Sequence, residues 1–115
     1  MAKWMIAIYG DEKGEAQLTE AEIGQVIAAY GAYSKALVDA GVMRGGDRLR
    51  PSSEATRVRV RDGKRSIVDG PFTETKEVFG GYYMIECATK DEAVEWGARC
   101  PGAEHAHIEV WPIWE

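Results

Sequence analysis

A chain of 115 residues that is 45% hydrophobic and 29% charged has room for one domain, residues 1–115, and its composition excludes a disordered chain. The net charge of −5 argues against non-specific nucleic-acid binding, and no apolar run approaches the roughly 18 residues of a membrane span, so neither nucleic acid nor membrane is an expected partner. A domain this small leaves much of its surface in water and gains by pairing with another copy, which makes a homodimer an expectation from size alone.

Residues 3–9 are apolar nearly throughout and end at Gly10-Asp11, the pattern of a strand covered on both faces. The beginning lacks the basic region, long apolar stretch and cleavage site of an export signal, so the expectation is a cytoplasmic protein. In that compartment Cys87 and Cys100 would be reduced thiols used for packing. Residues 10–18 read as a loop. A helix then starts at a capping box, Thr19 with Glu22, and ends at Gly41, with Leu18 placed to staple onto Ile23. Its apolar stripe is Ile23, Val26, Ile27, Tyr30, Leu37 and Val38. Gly24 and Gly31 each cost about 1 kcal/mol relative to alanine inside a helix, a cost that suggests close approach of another backbone.

The middle of the chain reads as sheet. Thr56, Val58 and Val60 alternate with Arg57, Arg59 and Arg61, which predicts a strand with valines inward and arginines outward. Asp62-Gly63 supplies a type I′ turn, and residues 64–69 return as the partner strand. After Gly70-Pro71 and a polar stretch, residues 78–87 form another strand, with a bulge at Gly80-Gly81. A second capping box, Thr89 with Glu92, opens a helix that turns Ala93, Trp96 and Cys100 inward and ends at Cys100-Pro101-Gly102. The last strand covers residues 107–113. The order β-α-β-β-β-α-β predicts an α+β, ferredoxin-like sandwich of two split βαβ units, with helices on one face of an antiparallel sheet. Tyr82 and Met84 on one side of the 78–87 strand, and Tyr83 and Ile85 on the other, are both too apolar for water, so a second subunit is expected over the side without helices.

The segment Asp69-Gly70-Pro71-Phe72-Thr73-Glu74-Thr75-Lys76-Glu77, followed by Gly80-Gly81-Tyr82-Tyr83, resembles the signature of the DGPF branch of the YCII-related family. Similarity extends through residues 3–10, Ala40-Gly41-Val42, residues 58–63, Asp91-Glu92-Ala93 with Trp96, Cys100-Pro101-Gly102, and Glu109-Val110 with Pro112. The resemblance implies the dimeric α/β-barrel variety of the ferredoxin-like fold, in which two sheets pack face to face. Most relatives are uncharacterised. Some are encoded with or fused to extracytoplasmic-function sigma factors, and one branch is linked to dehydrochlorination of chlorinated hydroquinones. A histidine–aspartate pair has been suggested as a catalytic dyad in the YCII branch, and Tyr30 stands here where those relatives carry the histidine. With an ordinary pKa of about 10, a tyrosine cannot serve as a base near neutrality, although it can donate a hydrogen bond.

Asp69 ends a strand beside a rigid Gly-Pro turn, which makes it the first candidate for a general base or polar anchor, with Tyr30 orienting a ligand. Arg57, Arg59 and Tyr82 are candidate ligand contacts, the arginines by bidentate pairing with an acidic group. Residues 44–65 hold eight basic side chains against three acidic ones, so this segment carries +5 and the remainder −10, which reads either as a solvated strand face or as an anion-attracting patch. His105, His107 and Glu109 alternate and in an extended chain would share a face able to touch a metal, yet alternating polar residues at a solvated edge read the same way, and no metal is expected. Trp4, Trp96, Trp111 and Trp114 are expected in core or dimer packing. No P-loop, Gly-x-Gly-x-x-Gly, Cys-x-x-Cys or Gly-x-Ser-x-Gly element occurs, so no cofactor is expected. Two functions fit: a homodimer binding a small aromatic or acidic ligand, with cofactor-free proton transfer or elimination as its chemistry if it is an enzyme, or a non-catalytic interaction module beside a sigma factor.

Overall fold

The structure, a computed structural model, describes all residues, 1–115. In chain order the elements are strand β1 (Ala2–Gly10), the single-turn helix α1 (Glu12–Glu15), the long helix α2 (Glu20–Asp39), strand β2 (Met43–Arg48), a 3-10 turn (Ser52–Glu54), strands β3 (Thr56–Arg61) and β4 (Lys64–Asp69), strand β5 (Val78–Cys87), helices α3 (Lys90–Arg99) and α4 (Gly102–His105), and strand β6 (His107–Pro112). Four strands form one antiparallel sheet in the order β2-β5-β1-β6, while β3 and β4 pair only with each other. The β1-α2-β2 and β5-α3-β6 units are the two halves of a ferredoxin-like α+β sandwich.

Register decides which side chains meet the helices. Trp4, Ile6 and Ile8 of β1 stand on the face shared by Ile85 and Tyr83 of β5 and by Ile108 and Val110 of β6. That face packs on Tyr33 and Leu37 of α2 and on Ala93 and Cys100 at α3, and Ile6, Leu37, Ile85 and Ala93 have no exposure. Both cysteines are buried free thiols within it. The Tyr33 hydroxyl donates to the Trp96 carbonyl at 2.7 Å, so one buried ring ties α2 to α3 without an orphaned O–H. Gly97 lets α3 sit down on β6, because a Cβ there would lie 2.9 Å from Val110 Cγ2.

Local signals act as the sequence suggests at several points. Thr19 and Glu22 form both bonds of the capping box, each 3.1 Å long. At α3, Thr89 caps Glu92, whose own carboxylate reaches one residue further back, to the Ala88 N–H. Gly41 closes α2 at φ +74°, and Asp62 and Gly63 turn the hairpin at φ 53° and 74°. Gly80 is the extra residue of a bulge, since Ile8 opposes Gly81 while Tyr9 opposes Phe79.

Other expectations are corrected. The second strand of the sandwich is β2, a Met-Arg-Gly-Gly-Asp-Arg edge, and the β3–β4 hairpin is an insertion outside the main sheet. Glycines suit β2 because it runs so close to β5 that a Cβ on Gly46 would lie 2.8 Å from the Tyr82 carbonyl oxygen. Val58 and Val60 do not point into a core, because no layer of this chain lies against the hairpin, and each is 58% exposed. The buried stripe of α2 runs through Tyr33 and Leu37, with Ile23, Ile27 and Val38 exposed, because the helix touches the sheet mainly through its second half. Gly24 and Gly31 have nothing within 4 Å of a built Cβ, so no backbone of the same chain explains them. Part of the expected 10–18 loop is helix α1, capped by Asp11.

Leu37 is the central contact between α2 and the sheet. Leu37→Ala should destabilise the fold by about 2–5 kcal/mol. Urea unfolding at fixed protein concentration measures this, and a change below about 1 kcal/mol would contradict the assigned core.

Candidate functional site

The face of the sheet away from the helices carries Met5, Ala7 and Tyr9 from β1, Phe79, Tyr82 and Met84 from β5, and His107, Glu109 and Trp111 from β6, aligned in rows by the strand register. Met84, Met5 and Trp111 make one row, Tyr82, Ala7 and Glu109 the next, and Phe79, Tyr9 and His107 the third. No helix covers them, and Trp111 is 53% exposed. The Tyr82 hydroxyl donates to Asp47 Oδ2 at 2.7 Å, a bond that pushes the phenol pKa up.

Titratable groups gather at the β6 end of this face. The His107 ring stacks on Tyr9, centroids 4.5 Å apart and planes 12° from parallel, which fixes the plane of the imidazole. Its Nδ1 lies 3.2 Å from Glu77 Oε1, and its Nε2 lies 3.5 Å from Glu109 Oε2. Glu109 is in turn held by the Trp111 indole N–H at 2.9 Å. Glu77 comes from the residue just before β5, so the 70–77 loop delivers one carboxylate and β6 the other.

The Glu77 hydrogen bond raises the His107 pKa above its ordinary value, with Glu109 adding to the effect. The Trp111 bond and the histidine lower the Glu109 pKa. Desolvation first, and the Glu109 carboxylate second, raise that of Tyr9. This environment favours an imidazolium whose Nδ1 proton is spoken for. At 3.5 Å the Nε2 contact with Glu109 is the looser of the two, so that N–H is the one more readily turned to an incoming acceptor.

A separate cavity of about 430 Å³ lies among Glu12 and Lys13 of α1, Ser52 of the 3-10 turn, and Thr73, Thr75 and Lys76 of the 70–77 loop. One wall is pinned by Glu12, which accepts from both the buried Ser52 N–H, at 2.9 Å, and the Ser52 hydroxyl. Gly70 fits there because a Cβ would run into the Ser52 carbonyl, and its N–H donates to Ala55 O at 2.8 Å.

The residues singled out from the sequence are spread over the molecule. Asp69 is exposed at the end of β4 and accepts from the Thr56 hydroxyl across the hairpin at 3.0 Å. Tyr30 is half-buried on the inner side of α2, its hydroxyl beside Gly102 and Cys100, and burial pushes its pKa above the ordinary tyrosine value. No hydrogen bond joins the two, and neither lines the 430 Å³ cavity. Arg57 pairs with Glu74 and lies over Phe72, 4.3 Å from its centroid, while Arg59 is exposed on the same side of the hairpin. Tyr82 stands on the bare sheet face. The His105, His107 and Glu109 trio does not share a strand face, because His105 belongs to α4, and no group of three ligating side chains fit for a metal forms. Trp4 and Trp96 pack in or against the core, whereas Trp111 and Trp114 are exposed. Sequence reasoning missed Glu77 and Tyr9 as partners of His107. The alternation of His107 with Glu109 and Trp111 did carry half of the group.

Two comparisons with known proteins bear on the chain. The sequence model of the YCII-related domain matches residues 2–115. An uncharacterized protein of Rhizobium meliloti (strain 1021) is 33% identical over 112 residues, covering 96% of this chain and 90% of that protein.

The shifts fix a pH window for the group. The folded pKa of His107 lies above 6.5, so its contribution is complete below that value and is lost as pH rises through the raised one. The folded pKa of Glu109 lies below 4.5, so its contribution is complete above that value and is lost as pH falls through the lowered one. The melting-point difference between parent and His107→Gln should therefore be greatest at about pH 5.5 and shrink toward about pH 9. A difference that is flat with pH would contradict the assigned ion pairs.

Proposed function

The chain belongs to the YCII-related domain family, and from that premise we propose that it works as a homodimeric small-ligand-binding protein, two bare sheet faces closing on each other and His107 handling a proton of the ligand without a cofactor. The observation that carries this reading is an imidazole held between two carboxylates on a sheet face otherwise built from tyrosine, phenylalanine, methionine and tryptophan. Leaving such a face in water costs about 25 cal/mol for each Å² of apolar surface, a cost removed when a second sheet covers it. A ligand that fits is a small aromatic molecule bearing an acceptor oxygen. Its ring would lie among Tyr9, Phe79 and Trp111, and its oxygen would take the Nε2 proton of the imidazolium.

In that step the Nε2–H bond breaks and an O–H bond forms. Glu77 keeps the Nδ1 proton in place and the ring oriented, as a carboxylate does for a catalytic histidine. Glu109, beside Nε2, favours return of the proton to the ring and so resets the group.

A thermal-shift screen against small aromatic acids and aromatic ketones tests this. At least one compound should raise the melting point of the parent and leave that of His107→Gln unchanged, while Asp69→Asn and the Lys13→Ala, Lys76→Ala double variant respond as the parent does. A response that survives in His107→Gln but vanishes in the double variant would put the ligand in the 430 Å³ cavity and end the present assignment.

A further inference from the structure

The chain by itself carries more surface than a finished monomer. A compact 12.7 kDa protein exposes about 6,200 Å², whereas this chain exposes 8147 Å², an excess of about 1,900 Å². Its radius of gyration of 16.1 Å exceeds the roughly 13 Å expected for this length, and its extents of 46 × 41 × 18 Å describe a slab. An excess of about 1,900 Å² per chain falls in the range that obligate homodimers bury. The bare sheet face accounts for part of it.

The β3–β4 ribbon accounts for another part. It pairs with no other strand, and its two sides differ in kind. Cross-strand register puts Val58 opposite Ile67 and Val60 opposite Arg65 on one side, and Arg57 opposite Val68, Arg59 opposite Ser66 and Arg61 opposite Lys64 on the other. Val58, Val60 and Ile67 are each 58% exposed. A two-stranded ribbon standing alone in water is marginally stable at best, so an apolar side of this kind needs a surface to lie on.

We propose that the ribbon is an arm that lies across the second copy of the chain, its valine–isoleucine side buried on that copy and Arg65, which shares that side, drawn to that copy's carboxylates. Charge favours a second copy as occupant: residues 56–69 hold five basic side chains against two acidic ones and carry +3 while the rest of the chain carries −8, so a like molecule offers an acidic surface to a basic ribbon. The proposal rests on the homodimer reading above and adds to it that the dimer is embraced by the ribbons as well as joined through the sheets.

Hydrogen–deuterium exchange of the full chain, followed through a dilution series that takes the dimer apart, tests the arm. Amides of β3 and β4 facing away from their own partner strand should be protected in the dimer and lose that protection in step with dissociation. Because Val58 and Val60 are exposed and outside the core cluster in the free chain, the Val58→Asp, Val60→Asp double variant should keep its circular dichroism and weaken the dimer by about tenfold or more, and added salt should weaken the parent dimer. A dimer whose ribbon exchanges equally fast before and after dissociation overturns the arm and leaves the sheet-to-sheet dimer standing. A chain that is monomeric at every concentration overturns both.

Discussion

A sheet has two faces, and this chain supplies helices for only one of them. The helical side holds the core: Leu37, Ile6 and Ile85 are without exposure, and the Tyr33 hydroxyl finds the Trp96 carbonyl, while the buried Trp4 indole N–H has no partner. On the other side Met5, Met84, Tyr82 and Trp111 look outward from the same strands, at positions set by the same register. The alternation of side chains along a strand makes the two faces inseparable, since the register that fills the core also fixes what the bare face displays.

That constraint gives the histidine group its character. His107 and Glu109 stand two residues apart on the outward side of β6, and Tyr9 meets His107 because β1 pairs with β6 at that row. The 70–77 loop then brings Glu77 to the remaining ring nitrogen. The Glu77 contact, with Glu109 adding to it, raises the His107 pKa, and the Trp111 bond, with His107 adding to it, lowers that of Glu109. On a face open to water this is a modest effect. Covered by an apolar layer, the same charges would be screened less and the proton on Nε2 would pass to an acceptor in a drier setting.

The fold was legible where one local rule was enough. Thr19 with Glu22, Gly41 and Asp62-Gly63 each specify a helix end or a turn by their own chemistry. The split of β5 into a Tyr83–Ile85 side and a Tyr82–Met84 side followed from alternation alone, whereas which side meets the helices did not. What could not be read was tertiary. Strand β2 has almost no apolar pattern and exists because β5 offers it a ladder, which overrides the low strand propensity of Gly45 and Gly46. The valine–arginine alternation of β3 correctly announced a strand, but a period of two cannot say which layer, if any, the valine side meets. In α2 the stripe read from the sequence included Leu37 but missed Tyr33, and contact with the sheet selects Tyr33 and Leu37 and leaves Ile27 outside. For the site, His107 and Glu109 could be paired by counting, whereas Glu77 arrives from a loop thirty residues earlier in the chain, and only the folded path brings it there.

The claim on which these relations turn is that the uncovered face is closed by a second copy, and sedimentation equilibrium tests it most directly. At micromolar concentrations the account predicts a species of twice 12.7 kDa, with a single-chain species appearing only on strong dilution. A folded species of single-chain mass that persists up to millimolar concentration would contradict it.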